Sequence, residues 1–262
     1  MSLRTADLPT GATLQYAERG DPAGIPVLLL HGYSDSWRSF EPLLPYLPPA
    51  WRLIIPSQRG HGDSSRPASG YRMQDFAADA VALLDALGIE RTAIVGHSMG
   101  TLIGQCLGAD PSRQSRITRL VLISPAANGP LRELNKLVAA LTDPLDRGFV
   151  EEFQRSTVTR PISDAFIDLA VSESMKMPVT AWHAMSQGMV DLDTAGNYAR
   201  IGVPTLILSG TRDEMFSDED RSEMSRKIPD AQLTIYQQAG HALHWEEPGR
   251  VARDLEGFIG QS

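Results

Sequence analysis

The chain of 262 residues is long enough for one large α/β domain or a core domain carrying an insertion, and its 42% hydrophobic and 21% charged residues are those of a folded rather than a disordered protein. With 24 Lys and Arg against 32 Asp and Glu the net charge is −8, and no basic block stands out, which excludes the electrostatic footprint of a nucleic-acid binder. Met1 to Asp7 lacks the apolar core of a signal peptide, no run approaches the ~18 apolar residues of a membrane span, and a single cysteine, Cys106, suits a reducing compartment; the expectation is a cytoplasmic protein without a membrane partner.

In chain order, Thr13 to Glu18 alternates polar and apolar residues and predicts an early edge strand, followed by a turn at Gly20-Asp21-Pro22-Ala23-Gly24. Pro26 to Leu30 and Arg52 to Ile55 are unbroken apolar runs, as expected of strands covered on both faces. The loop Gln58 to Ser64 follows, then a helix over Asp75 to Leu87 with Gly88 as its stop. Ala93-Ile94-Val95 is the next buried strand, closed by Gly96-His97-Ser98-Met99-Gly100 and a helix from Thr101. Ile117 to Ile123 is another. From Ala127 to about Arg200 strand signals vanish, and a helical, methionine-rich stretch broken by Pro144, Pro161 and Pro178 takes over. Strands resume at Val203 to Leu208 and Gln232 to Tyr236, and a helix over Pro248 to Ile259 closes the chain. The alternation predicts an α/β fold with a mostly parallel sheet, divided as a core of residues 1–126 and 201–262 and a helical insertion of residues 127–200.

The pattern Gly96-x-Ser98-x-Gly100 between a strand and a helix lifts one serine out of a tight turn and makes Ser98 a candidate nucleophile. A serine hydroxyl needs a base, and the base needs an orienting carboxylate. Of six histidines, His241 stands just past the strand ending at Tyr236 and after the flexible pair Ala239-Gly240; His244 is its competitor. His31 and His97, at strand ends, read as scaffold, His61 as part of a Gly-rich loop, and His183 as a residue of the insertion. Asp213, directly after the strand Val203 to Leu208, reaches the same sheet edge, with Glu214 as the neighbouring alternative. The order Ser, Asp, His, each after its own buried strand, favours Ser98, Asp213 and His241. Backbone amides of Tyr33, after Val27 to Leu30, and of Met99, at the start of a helix, would receive a developing oxyanion.

These segments together, from His31-Gly32 through Gly60-His61-Gly62-Asp63-Ser64 and Gly96 to Gly100 to Gly210–Asp213 and Gly240-His241, make the chain similar to the α/β-hydrolases over nearly its whole length. The resemblance implies an eight-stranded, mostly parallel sheet flanked by helices, a Ser98–Asp213–His241 triad, and a cap over the site formed by the insertion. Within that superfamily the chain resembles compact bacterial esterases, lactonases and cofactor-free haloperoxidases. Epoxide hydrolases and haloalkane dehalogenases of this fold carry aspartate where this chain has Ser98, and carbon–carbon bond hydrolases often carry tryptophan where it has Ala242. His241, His244 and Glu246 lack the H-E-x-x-H spacing of a zinc site, so neither metal nor cofactor is expected. The expected activity is hydrolysis of small, largely apolar esters or lactones through an acyl-enzyme, with Met175, Trp182, Met185 and Met189 lining a deformable pocket.

Overall fold

A computed structural model describes residues 1–260. Eight strands form one sheet: β1 (Ser2–Asp7), β2 (Thr13–Gly20), β3 (Ile25–Leu30), β4 (Trp51–Pro56), β5 (Thr92–His97), β6 (Ile117–Ile123), β7 (Thr205–Gly210) and β8 (Ala231–Tyr236). Their order across the sheet is β1-β2-β4-β3-β5-β6-β7-β8, antiparallel from β1 to β4 and parallel from there on. The strand over Thr13 to Glu18 is therefore internal, and the edge belongs to β1. That strand carries no apolar run and is exposed along most of its length, so nothing in its composition announces it.

The unbroken apolar runs are explained by the two covers of the sheet. Alternate strand residues point to opposite faces. Leu28, Leu30, Ile94, Leu120, Leu122 and Ile207 face one apolar cluster, while Val27, Leu29, Val95, Val121, Ile123 and Leu208 face the other. The first cover is built by α1 (Met73–Ala86) and α2 (Met99–Gly108), the second by α10 (Pro248–Ile259). Helix α1 ends as predicted: Gly88 has φ +64°, its amide donates to the Asp85 carbonyl at 3.1 Å, and the Ile89 amide reaches back to that of Leu84 at 2.9 Å.

Between β6 and β7 the chain leaves the sheet for five helices, α3 (Asn128–Ala139), α4 (Arg147–Ser156), α5 (Asp164–Ser174), α6 (Val179–Val190) and α7 (Thr194–Tyr198). The remaining helices are α8 (Asp218–Lys227), begun by Ser217 and Asp220 capping each other, and the single turn α9 (Leu243–Glu246). Because β3 and β5 to β8 run parallel, the loops after all of them open at one edge, and the inserted helices lie over that edge.

Candidate active site

Ser98 occupies the turn between β5 and α2 with φ +50° and ψ −115°, a conformation L-residues rarely adopt. The two flanking glycines make it possible. A Cβ on Gly96 would collide with the Gly100 carbonyl, and one on Gly100 with the Leu30 carbonyl of the neighbouring strand. The turn is held on both sides: the Ser98 amide donates to the Ile123 carbonyl at 3.0 Å, and its own carbonyl accepts from the Thr101 amide at 2.8 Å and hydroxyl at 2.6 Å.

Asp213 lies in the loop after β7, which is fastened to the end of β8 by Thr211 donating to the Tyr236 carbonyl and Arg212 to that of Ala239, both at 3.0 Å. Its carboxylate is fully buried and accepts from the Met215 amide at 2.9 Å. His241 follows β8. Its Nδ1 is 2.9 and 3.0 Å from the two Asp213 oxygens, and its Nε2 is 2.8 Å from Ser98 Oγ. Facing a carboxylate, Nδ1 carries the proton, which leaves Nε2 bare toward the serine hydroxyl. Burial lowers the His241 pKa, but the Asp213 charge, its hydrogen bond and the Asp35 charge outweigh that, so the net displacement is upward.

The other histidines around it are held neutral. Burial takes His244 down to about 3 and His61 down to about 4, and pushes His31 and His97 well below the usual imidazole range. His244 bonds to Ser39 Oγ at 3.0 Å rather than to Ser98, and Glu214 is exposed and makes no bond to His241. His31 receives the Gln58 amide on Nε2 at 2.9 Å and donates from Nδ1 to the Gly32 carbonyl at 2.8 Å, fixing the loop that carries Tyr33. The amides of Tyr33 and Met99 find no acceptor among the described residues. The Tyr33 hydroxyl is occupied elsewhere, donating to the Trp182 carbonyl at 2.8 Å.

A cavity of about 410 Å³ opens over Ser98 and His241. Leu131 and Leu134 of α3, Phe153 of α4, Met189 of α6 and Met215 form an apolar wall. Gly32, Asp35, His97, Gln154 and Thr157 form a more polar one. Of the four predicted pocket residues only Met189 lines this space. Met175, Trp182 and Met185 pack into the apolar interior instead; Trp182 lies edge-on to Tyr33 and Phe153 at centroid distances of 5.0 and 5.8 Å, and Met185 sits against Gly60. Helical spacing identifies residues facing inward without saying whether packing or a cavity lies there.

Sequence reasoning missed the residues that brace the histidine loop. The Thr157 carbonyl, just past α4, accepts both the His241 and Ala242 amides at 2.9 Å. The buried Glu246 carboxylate accepts the Gly240 amide at 3.1 Å and the Thr159 amide at 2.6 Å. Asp35 was missed as well: burial raises its pKa to about 6 against hydrogen bonds from Ser39 and Gln154. Among the described residues no group of three His, Cys, Asp or Glu side chains could hold a metal ion.

A sheet of this order with a strained serine after β5, an acid after β7 and a histidine after β8 defines an α/β-hydrolase, and residues 25–248 match the family described as "alpha/beta hydrolase fold", to which the chain belongs. It is a hydrolase of that superfamily. A non-heme chloroperoxidase of Streptomyces lividans is 26% identical over 97% of this chain and 99% of its own. A 2-hydroxymuconate semialdehyde hydrolase of Pseudomonas sp. is 28% identical over 92% of this chain and 88% of its own. Among solved structures, the esterase RhEst1 of Rhodococcus sp. superposes with a TM-score of 0.86 at 25% identity, covering 100% of this chain and 99% of the other.

Proposed function

We propose that the protein is a serine hydrolase that cleaves small, largely apolar carboxylic esters or lactones through an acyl-enzyme. The observation that carries this reading is the continuous chain of contacts from Ser98 Oγ to His241 Nε2 at 2.8 Å and from His241 Nδ1 to Asp213 at 2.9 Å. His241 takes the Ser98 proton as the oxygen attacks the carbonyl, and Asp213 holds the imidazole tautomer and stabilises the imidazolium. The tetrahedral oxyanion is received by the Tyr33 and Met99 amides, the second at the positive end of α2. His241 then hands its proton to the leaving oxygen, and a water repeats the attack on the acyl-enzyme. The inserted helices act as a cap whose apolar wall favours acyl chains without charge, and substrate reaches the site from solvent rather than from a membrane or nucleic acid.

The chloroperoxidase named among the relatives favours one second reading, in which peroxide replaces water in the deacylation step and a peracid is released. A panel of aryl esters graded by acyl length, run beside lactones and with and without peroxide, separates the two. The expected result is hydrolysis of short to medium esters or lactones that exceeds peracid formation, with the acyl burst abolished in Ser98→Ala; a normal burst in that variant overturns the assignment of Ser98.

A further inference from the structure

One carboxylate of the cavity wall has no countercharge. Asp35 lines the space over Ser98 and His241, with 6% of its side chain exposed. Its donors are the Ser39 hydroxyl on Oδ2 at 3.0 Å, the Gln154 amide on Oδ1 at 3.3 Å, and the Gly32 backbone. All are neutral groups, so they orient the charge without cancelling it. The only ion-pair partner within reach among the described residues is His97, whose Nδ1 stands 3.9 Å from Oδ2, and burial holds that imidazole neutral. Behind Asp35, Arg38 and Glu173 share a small second cavity with it, but Arg38 is paired with Glu41 at 3.2 Å and Glu173 with Lys176 at 2.9 Å. Toward solvent, the other charged side chains of the cavity wall, Arg212 and Glu214, are exposed and of opposite sign. Asp35 Oδ2 lies 3.1 Å from the point that a Cβ on residue 32 would occupy, so the charge flanks Gly32, directly before the Tyr33 amide. Its field reaches His241, whose pKa it helps to raise, and with its own pKa pushed up to about 6 the carboxyl is ionised above neutral pH.

We propose that the Asp35 charge is a specificity determinant that keeps substrates with a second, ionised carboxyl group out of the cavity and drives out the carboxylate that each turnover leaves there. The inference rests on the serine-hydrolase reading and narrows its substrates to esters and lactones whose acyl part carries no negative charge. Two like charges about 8 Å apart, at an effective dielectric of about 20, repel enough to shift an equilibrium more than tenfold. The tetrahedral intermediate escapes this penalty, because the imidazolium of His241 forms in the same step as the oxyanion. The product does not escape it. Collapse of the second intermediate returns the His241 proton to Ser98 Oγ, and once the acid released from the acyl group has lost its own proton to solvent, a carboxylate faces Asp35 with a neutral imidazole beside it.

The probes are carboxylic acids from butanoate to octanoate and the methyl ketones in which a methyl group replaces one carboxylate oxygen, pairs that differ in charge but little in shape. At pH 8 the ketone is expected to inhibit cleavage of an aryl ester about tenfold or more better than its acid, and dimethyl adipate to be cleaved with a kcat/KM about tenfold or more above that of its monomethyl ester. A buried charge is poorly screened, so both ratios should hold within about twofold from about 0.05 to about 0.5 M salt. Ratios that collapse over that range belong to exposed charges such as Glu214 and overturn the assignment, a readout that needs no variant. Asp35→Asn keeps the shape, removes the charge, and should cut both ratios to about threefold or less. If esters are cleaved in a Ser98-dependent way but acid and ketone inhibit alike, or the preference survives Asp35→Asn, the role of Asp35 is wrong and the hydrolase reading stands. If no ester is cleaved, yet calorimetry shows the ketones binding more tightly than the acids to wild-type protein and not to Asp35→Asn, the hydrolase reading falls and the charge selection stands.

Discussion

Ser98 concentrates the cost of the site in one residue. A non-glycine backbone at φ +50° and ψ −115° costs on the order of 1–3 kcal/mol, and the bonds from Ile123 and Thr101 keep it there. The gain is a hydroxyl clear of the backbone and in line with His241. Asp213 supplies no contact to Ser98, so its effect is exerted entirely through the imidazole. Asp213→Asn is therefore expected to leave the fold intact by circular dichroism and to lower kcat on an aryl ester about 10⁴-fold, because an amide hydrogen facing Nδ1 drives the proton onto Nε2. Activity within tenfold of wild type would point to another acid. Ser98, Asp213 and His241 were legible in the sequence because each directly follows an apolar run and stands near glycine. Asp35 and Gln154 were not, because their meaning lies in meeting each other across 119 residues of chain, which no local pattern records.

At the scale of elements, the segment after α4 acts as a strap on the histidine loop. Thr157 holds the His241 and Ala242 amides, Thr159 shares the Glu246 carboxylate with Gly240, and Arg160 reaches the Gln237 carbonyl at 3.2 Å and Glu247 at 3.0 Å. Glu246→Ala strands the buried Gly240 amide and frees the exposed Thr159 amide, and should reduce stability by about 1–3 kcal/mol in urea unfolding and lower kcat more than it raises KM. Glu246→Gln, whose amide oxygen still accepts, should recover a large part of both; an alanine variant with wild-type stability and kcat contradicts the strap. The strands and long helices were readable because burial on both faces, or on one face of a helix, leaves a periodic trace. The edge strand β1 leaves none, being paired on one side and exposed on most of its surface. The same periodicity misplaced Met175, Trp182 and Met185 in the pocket, since a residue that packs against Tyr33 or Gly60 and one that faces a void carry the same pattern.

For the molecule as a whole, the neutral histidines make acid the weak point. Between pH 6.5 and about 4 the unfolded chain binds protons at His31, His61, His97 and His244 that the fold refuses, so stability falls as pH falls. Asp35 opposes this below about 6, where the fold keeps a proton that the unfolded chain has lost, but it is one group against four, so the net effect is a loss of stability on acidification. His241 acts with the opposite sign: its contribution is complete below 6.5 and is lost as pH rises through its raised folded value. The midpoint of thermal unfolding should drop by at least about 10 °C between pH 7 and pH 5, followed by circular dichroism; a flat profile over that range would contradict the buried neutral histidines.

The inserted helices depart from β6 and return to β7, two strands that are direct neighbours, with Leu120 paired to Thr205. Because the two run parallel, the excursion also carries the chain from one edge of the sheet to the other; within it Thr194 Oγ1 donates to Asn128 Oδ1 at 3.2 Å, so residues 128–194 begin and end close together, and that contiguous segment could be exchanged with that of a relative without disturbing a single strand pairing. What such a graft cannot omit is an acceptor at the place of the Thr157 carbonyl. Recombination among these proteins is therefore constrained less at the splice points than in the middle of the transplanted piece, where the donor must arrive already equipped to hold its host's histidine.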